Sequence, residues 1–195
     1  MARPSLIRQK RAEMIPVVAR AFAELGYRRM TTSELGRRCG IRENILYRLW
    51  PDKRAMFIAS IDYVYELSHT LWTRMAGEGD RRERARRLLE YEARHHGEFG
   101  LYRIVFAGLS EMDDPEVRKA MRRMYGLFQQ FIAARVGEHR RGRDQGFAVD
   151  KELAAWAVVG LGTLANIGRD LGLLSAAQRQ RLIARVGRLL LDARV

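Results

Sequence analysis

A short polar stretch between Gly40 and Pro51 carries residue types that read DNA bases. Arg42, Glu43 and Asn44 follow one another at the predicted start of a short helix, RENILYRLW. Arginine suits guanine, asparagine suits adenine, and glutamate can accept a hydrogen bond from cytosine. Glutamate is also expected at any solvated helix start, because it complements the helix dipole. The three residues alone therefore leave two interpretations open, base reading and a plain solvated helix end.

Two short helices and the turn between them must position these side chains. The segment TTSELGRRCG predicts a helix over 32–39, with Thr31 as N-cap and Glu34 completing a capping box. Gly40 then ends this helix in a left-handed conformation. A third helix is predicted over 43–50 and stops before a proline. This arrangement is a helix-turn-helix, whose second helix enters the major groove of DNA.

The rest of the sequence predicts helices almost throughout. Apolar residues at steps of three and four indicate a first amphipathic helix that Gly26 ends, with a kink or split at Pro16. A polar loop is predicted over 138–146. We expect an all-α protein of about nine helices. Its three-helix helix-turn-helix DNA-binding head would occupy residues 1–52, and a larger helical ligand-binding and dimerisation body residues 53–195.

Basic charge is concentrated in the head. The chain has 36 Lys and Arg against 23 Asp and Glu, a formal net charge of +13. Residues 1–57 contain 13 of these basic residues and 5 of the acidic ones. A compact basic unit favours a polyanionic partner, nucleic acid or a membrane surface, although arginines on a solvated surface account for the same totals. A single cysteine and the lack of an apolar stretch of about 18 residues predict a cytoplasmic protein without a membrane partner.

The sequence around the two short helices resembles the DNA-binding domain of the TetR family of bacterial transcriptional regulators. The resemblance covers about residues 10–57 and keeps the spacings of the family pattern. It is carried by Ala21, Phe22, Gly26, Tyr27, Thr31, Thr32, Leu35, Gly40, Ile41, Leu46, Tyr47, Trp50 and Lys53. Beyond residue 57 the chain has the length and the helix count of the family but no further motif.

The resemblance implies roles for particular side chains on DNA. Thr32, Tyr47 and Lys53 would contact phosphates, which fix the register of a protein on DNA without reading sequence. Four residues are then left for the bases: Arg42, Glu43, Asn44 and Arg48. The whole expected DNA-binding set is Thr32, Ser33, Arg42, Glu43, Asn44, Tyr47, Arg48 and Lys53.

Three residues depart from the family pattern. Arg42 stands where the family usually has a serine that caps the recognition helix, and losing such a cap costs about 0.5–2 kcal/mol. Asn44 replaces a small residue, and Leu49 stands where histidine or tyrosine is common. We therefore expect either that Arg42 compensates for the missing cap on DNA or that the recognition helix frays when the protein is free.

The last two helices carry the signs of a dimer interface. Nearly every residue over 153–167 is apolar or small, which is typical of a helix buried on all sides. The run is shorter than the roughly 20 residues that a membrane span requires. We interpret the two helices as half of a four-helix homodimer interface, which the resemblance also implies. Its expected residues are Trp156, Val159, Gly160, Leu164, Leu182, Val186 and Leu189.

The resemblance also implies a small-molecule site among the fourth to seventh helices. Aromatic side chains at helical spacing are abundant there, although such residues more often belong to a plain core. The candidates are Tyr65, His69, Trp72, Phe99, Tyr102, Phe106, Tyr125 and Phe128. The neighbours His95 and His96 make a poor chelating pair because successive helical residues point about 100° apart. We expect no metal and no other cofactor.

Together these observations predict a homodimeric transcriptional regulator of the TetR type. We expect a repressor that binds a pseudo-palindromic operator in double-stranded DNA and is released by a small, largely apolar effector. No nucleophile motif, metal set or phosphate-binding glycine loop supports an enzyme. The alternative is a sequence-indifferent architectural DNA-binding protein, which would lack a large preference for one palindrome at high salt.

Overall fold

The computed structural model describes residues 3–77, 80–141 and 146–192, and the fold is all-α as predicted. Nine helices lie in these ranges: α1 (Arg3–Arg29), α2 (Thr32–Cys39), α3 (Glu43–Leu49), α4 (Lys53–Ala76), α5 (Arg81–His95), α6 (Tyr102–Leu109), α7 (Pro115–Arg140), α8 (Lys151–Asp170) and α9 (Ala176–Asp192). Among the residues described, no helix combines the length and the hydropathy that a membrane span needs.

The two helices of the predicted helix-turn-helix begin and end close to the residues that the capping and turn signals of the sequence predict. Thr31 caps α2, and its Oγ1 accepts the backbone N–H of Glu34 at 3.1 Å. Gly40 adopts the left-handed conformation, with φ 65° and ψ 26°, and its N–H donates to the Arg37 carbonyl. The predicted capping box is half formed, because the Glu34 carboxylate binds arginines of its own helix rather than a backbone amide.

Helix α1 departs from regular geometry at its glycine. Gly26 has φ 72° and ψ 170°, and the chain then resumes helical hydrogen bonding to Arg29. The predicted break at Pro16 does not split the helix. Pro16 and Ala12 are both exposed, so water can bind the carbonyl that the proline leaves without a donor.

Helix α7 continues further than the sequence predicts. It reaches Arg140, so the predicted loop over 138–146 is wrong at its start; residues 142–145 lie outside the described part of the chain. The Arg140 guanidinium is buried and donates to the carbonyls of Val149 at 2.6 Å, Leu190 at 2.7 Å and Leu191 at 3.2 Å. These contacts with distant segments hold the last turn of α7 in place.

The chain packs as two compact units. Unit 1 comprises residues 1–67 and 99–124, and unit 2 comprises residues 68–98 and 125–195. Unit 1 thus contains α1 to α3 together with α6 and parts of α4 and α7. The predicted division of function at residue 52 stays a prediction.

The core of unit 1 fixes the helix-turn-helix. Phe57 on α4 lies 5.1 Å from Phe22 and 4.9 Å from Tyr27, measured between ring centroids. Leu35 of α2 and Leu46 of α3 are fully buried beneath the turn. The recognition helix is therefore held by its apolar face, which leaves its other face to solvent.

The core of unit 2 lies on α5, α7, α8 and α9. Its buried members include Leu89, Val136, Leu161, Ile183 and Leu191. These residues bury only one side of α8. The other side carries a stripe of exposed residues at steps of three, four and seven: Leu153, Trp156, Gly160, Leu164, Ile167 and Leu171.

Candidate nucleic-acid interface

Helix α3 separates its residues cleanly into two faces. Leu46, Leu49 and Trp50 are buried, with Trp50 only 5% exposed, as expected for residues that pack the head. The opposite face is exposed and carries Arg42, Glu43, Asn44, Tyr47 and Arg48. All of the predicted base-reading residues therefore lie together on the solvent side of the recognition helix.

A glycine lets α2 and the start of α3 approach closely. A Cβ atom on Gly36 would lie 2.9 Å from the Ile41 carbonyl oxygen and 3.4 Å from the Glu43 nitrogen. The Gly36 carbonyl accepts the Ile41 N–H at 3.0 Å. Sequence reasoning did not single out Gly36, although a glycine inside a short helix is a recognised sign of close packing.

Three of the predicted DNA contacts are bonded to one another across the turn. The Thr32 hydroxyl donates to the Glu43 carboxylate, and the Tyr47 hydroxyl lies 3.3 Å from the Thr32 Oγ1. Ser33 is exposed beside them. These bonds join the first turn of α2 to α3 and hold the Tyr47 phenol on the exposed face. The roles of Thr32 and Tyr47 on phosphates stay predictions.

Arg42 occupies the N-cap position of α3 without capping it. Its backbone is extended, with φ −69° and ψ 148°, and its side chain makes no capping hydrogen bond. The missing cap expected from the family pattern is therefore seen in the structure. The exposed guanidinium has five N–H donors, which suits it to a base or a phosphate.

Lys53 has a structural role that the sequence did not predict. Its Nζ donates to the carbonyls of Tyr27 and Met30, both at 3.1 Å, and lies 4.4 Å from the centroid of the Tyr27 ring. The ammonium thus secures the end of α1 at the start of α4. An ammonium has three donors, so a phosphate contact by Lys53 stays a prediction.

Three further ion pairs and a backbone contact tie the head together. Glu34 accepts from Arg37 at 2.8 Å and from Arg38 at 2.8 Å, and Arg38 also binds Glu24 of α1. The hydrogen bonds from these two arginines lower the pKa of Glu34 to about 2. Arg11 of α1 donates to the Leu49 carbonyl at the end of α3.

The candidate ligand residues fall into both units. Tyr65, Phe99, Tyr102 and Phe106 belong to unit 1, where Tyr102 and Phe106 form an edge-to-face pair with centroids 6.2 Å apart. Phe99 is 51% exposed.

The other four candidates belong to unit 2: His69, Trp72, Tyr125 and Phe128. The Trp72 ring lies 5.4 Å from Phe128 and 5.4 Å from Phe131, and His69 lies 5.3 Å from Phe131. Burial raises the pKa of the Tyr125 phenol, which also hydrogen-bonds Thr163 of α8.

The histidines bind different partners and form no chelating group. His95 pairs with Glu98, whereas His96 contacts Glu92 and the Gly162 carbonyl. Within the described ranges, no three His, Cys, Asp or Glu side chains come together as metal ligands would.

The predicted dimer residues divide between an exposed set and a half-buried set. Trp156 is 48% exposed, Leu164 51% and Leu189 66%, and Gly160 is exposed between the first two. Val159 is half-buried. Leu182 and Val186 are also half-buried, because both pack against the core of their own unit.

The comparisons with known proteins agree on one family. The model of bacterial regulatory proteins of the TetR family matches residues 18–60. By sequence alone, no curated protein gives a significant match to the chain.

Three solved structures show the likeness of the whole fold. A proposed TetR-family regulator from Rhodococcus sp. has a TM-score of 0.79 at 14% identity, covering 93% of this chain and 100% of its own. Reduced NemR from E. coli has a TM-score of 0.76 at 18% identity, with 91% and 96% covered. A proposed transcriptional regulator from Saccharomonospora viridis in complex with choline has a TM-score of 0.75 at 16% identity, with 94% and 96% covered.

The fold and the exposed recognition helix define a helix-turn-helix DNA-binding protein. The family model matches residues 18–60, from within α1 into α4, and over nearly its whole length the chain has the fold of a solved TetR-family regulator.

Proposed function

We propose that this protein is a homodimeric repressor that binds a pseudo-palindromic operator and leaves it when a small molecule binds. The observation that carries the proposal is the division of α3 into a buried face and an exposed face with Arg42, Glu43 and Asn44 in its first turn. Such a helix presents its N-terminal residues to base edges in the major groove. Its action on DNA places it in the cytoplasm, and regulation rather than catalysis is its proposed role.

The exposed stripe of α8 supports the homodimer. Large apolar side chains such as Leu153, Trp156 and Leu164 lie in one line on this helix, and contiguous apolar surface of this kind is typical of protein interfaces. A second copy of the chain offers the same stripe, as a two-fold interface requires.

The proposed interface relies on α8 more than the sequence suggested. The exposed positions of α9 include Arg181, Arg185 and Arg188, with Leu189 beside them. Two such arginine rows pressed together would repel each other. We therefore propose an interface built mainly from α8, with Leu189 as the contribution of α9.

The aromatic cluster of unit 2 supports a small-molecule effector. The centroid of the Trp72 ring lies 5.4 Å from that of Phe128 and 5.4 Å from that of Phe131. The Saccharomonospora viridis protein of similar fold is bound to choline, so this fold accommodates a ligand of that size. An effector that binds one conformation of the dimer better than another shifts the population, and thereby the affinity for DNA.

Selection of bound DNA from a random duplex pool tests the proposal directly. We expect the full-length chain to enrich a symmetric sequence whose two halves lie about one helical turn apart. The preference should persist at salt concentrations where nonspecific binding has disappeared, since the nonspecific part falls steeply with salt. Binding without enrichment would favour the architectural alternative, and failure to bind DNA would exclude both.

A further inference from the structure

A carboxylate lies within the aromatic cluster of unit 2. Glu92 of α5 accepts the indole N–H of Trp72 through Oε1 at 2.6 Å, and its side chain is 25% exposed. Phe128 and Phe131 flank the same indole. Aromatic faces and a carboxylate are the groups that bind organic cations, because both present negative charge or a negative quadrupole to the ligand.

His96 contacts the same carboxylate. Its Nδ1 lies 2.8 Å from the Glu92 Oε2, and its Nε2 lies 2.9 Å from the Gly162 carbonyl oxygen. An imidazole of the chain itself therefore occupies one oxygen of Glu92.

A cation of the chain itself lies on an aromatic face of the cluster. The Arg135 guanidinium carbon is 5.3 Å from the centre of the Phe131 ring. This arginine has its own carboxylate, because its Nη2 lies 3.1 Å from the Glu138 Oε1. The cluster thus tolerates positive charge on its rings, and the charge of Arg135 is offset without Glu92.

We propose that this cluster is the effector site and that its ligand is a small organic cation, of the quaternary ammonium or alkylammonium class. The cation would lie against Trp72 and Phe128 and displace the His96 ring from Glu92. A quaternary ammonium has no N–H to donate, so its attraction to the carboxylate and to the aromatic faces is electrostatic. This inference deepens the proposed function by naming the class of effector.

The same histidine connects the cluster to α8. A Cβ atom on Gly162 would lie 3.0 Å from the His96 Cε1, so the ring packs directly on the helix backbone. Gly162 lies between Gly160 and Leu164 of the exposed stripe. A cation that takes Glu92 leaves the His96 ring held at Gly162 alone, which gives ligand binding a route to the proposed dimer helix.

Among the described residues, charged groups meet His96 from its own segment and from α8. On its own segment the partner is Glu92, since His95 pairs with Glu98. From α8, Arg169 donates to the main-chain carbonyls of His96 at 3.4 Å and Gly97 at 3.0 Å. From α4, Trp72 contributes only its neutral indole N–H to Glu92.

Calorimetric titration of the full-length protein with choline tests the proposal. The matched ligand is 3,3-dimethyl-1-butanol, which has the shape of choline without its charge. We expect choline to bind and the alcohol to bind at least about tenfold more weakly, because the alcohol lacks the charge that the carboxylate and the aromatic faces attract. Equal affinity for both, or no binding of choline, tetramethylammonium and tetraethylammonium alike, would overturn the proposal.

Two variants with opposite expected effects on choline affinity distinguish loss of the site from misfolding, because misfolding can only weaken binding. Glu92→Gln keeps an oxygen for Trp72 but loses the charge that attracts the cation, so choline should bind at least about tenfold more weakly. His96→Gln can still donate to the Gly162 carbonyl and removes the imidazole that competes for Glu92, so choline should bind more tightly. Glu98→Gln, which removes the exposed partner of His95, is the control and should bind like the natural chain.

DNA selection is scored separately, so failure of the cation site leaves operator binding standing, and failure of operator binding leaves the cation site standing.

Discussion

At the scale of the residue, Arg42 is the position where stability and DNA binding oppose each other. The N-cap of α3 has an extended backbone but no side chain that accepts the orphan N–H groups of the first turn. Arginine cannot accept a hydrogen bond. The recognition helix therefore begins on a residue whose donors suit DNA rather than the helix itself.

Replacing Arg42 by serine should separate the two effects. We expect Arg42→Ser to stabilise the folded chain by about 0.5–2 kcal/mol, because serine caps the helix, and to weaken operator binding. Urea unfolding and titration of the selected operator measure the two quantities. Unchanged affinity and unchanged base preference would show that Arg42 has no role on DNA.

Substitutions of Tyr47 and Asn44 should affect DNA binding in different ways. Tyr47→Phe removes a hydroxyl donor beside Thr32 and should weaken binding to all DNA sequences alike, as loss of a phosphate contact does. Asn44→Ala should relax the preference at one base position by about 1–3 kcal/mol. Titration of both variants against matched and singly mismatched operators distinguishes them, and an exchange of the two patterns would reverse the assigned roles.

At the scale of the element, Gly36 sets how closely α2 and α3 approach. A methyl group at this position meets backbone rather than a movable side chain, at 2.9 Å from the Ile41 carbonyl oxygen. The helix-turn-helix therefore cannot accommodate it without a shift of one helix. The site for DNA depends on this spacing because its residues come from both helices.

Substituting Gly36 by alanine should destabilise the chain by about 1–3 kcal/mol, the usual cost of overpacking. Gly126→Ala is the matched control, since Gly126 lies inside α7 with nothing within 4 Å of the added Cβ atom. That variant should be more stable by up to about 1 kcal/mol, because alanine is the better helix former. Urea unfolding of both variants gives the comparison, and equal stabilities would contradict it.

The arginines around Glu34 make the stability of α2 depend on pH. Their hydrogen bonds lower the pKa of Glu34 from 4.5 to about 2. A lowered carboxylate pKa stabilises the folded state above the ordinary value, and this contribution is lost as the pH falls from 4.5 towards 2. The unfolding midpoint of the natural chain should therefore approach that of Glu34→Gln as the medium is acidified through this range.

A control isolates this effect from general acid unfolding. Glu13→Gln removes a carboxylate of α1 that pairs with Lys10 on the exposed surface. The difference between Glu13→Gln and the natural chain, measured over the same pH range, is the reference for the difference that Glu34→Gln makes. A constant difference between Glu34→Gln and the natural chain over that range would show that the arginine pairs do not stabilise the folded state.

The sequence predicted elements better than it predicted side-chain partners. The bounds of α2 and α3 follow from a capping threonine, a left-handed glycine and a proline, which all act within a few residues of where they stand. The partners of Lys53 and Arg140 could not be predicted, because they are carbonyls of segments far away in the chain. The same long-range contacts extended α7 beyond the end that its sequence suggests.

At the scale of the whole molecule, a single copy of the chain leaves the apolar stripe of α8 exposed to solvent. A helix that is apolar all round was expected to be buried on all sides, and the protomer buries only the side that faces α5 and α9. The second side is accounted for by the proposed dimer. Two recognition helices in a fixed relation would then follow from the two-fold symmetry.

A charge in the stripe should prevent this association. We expect the natural chain to sediment as a dimer and Leu164→Glu to sediment as a monomer of 22.5 kDa, since burying two unpaired carboxylates is strongly unfavourable. Leu109→Glu places the same charge on an exposed leucine of unit 1 and should remain a dimer. A monomeric natural chain, or dissociation by both variants, would argue against the α8 interface.

The three tryptophans of the chain lie in three different surroundings. Trp50 is buried in the head, Trp72 lies in the aromatic cluster beside Glu92, and Trp156 is half exposed on the α8 stripe. Indole emission shifts with the polarity of its surroundings, so chains with one tryptophan each would give separate optical signals. The unlabelled protein thus carries its own reporters for folding of the head, occupation of the cluster and association of the protomers.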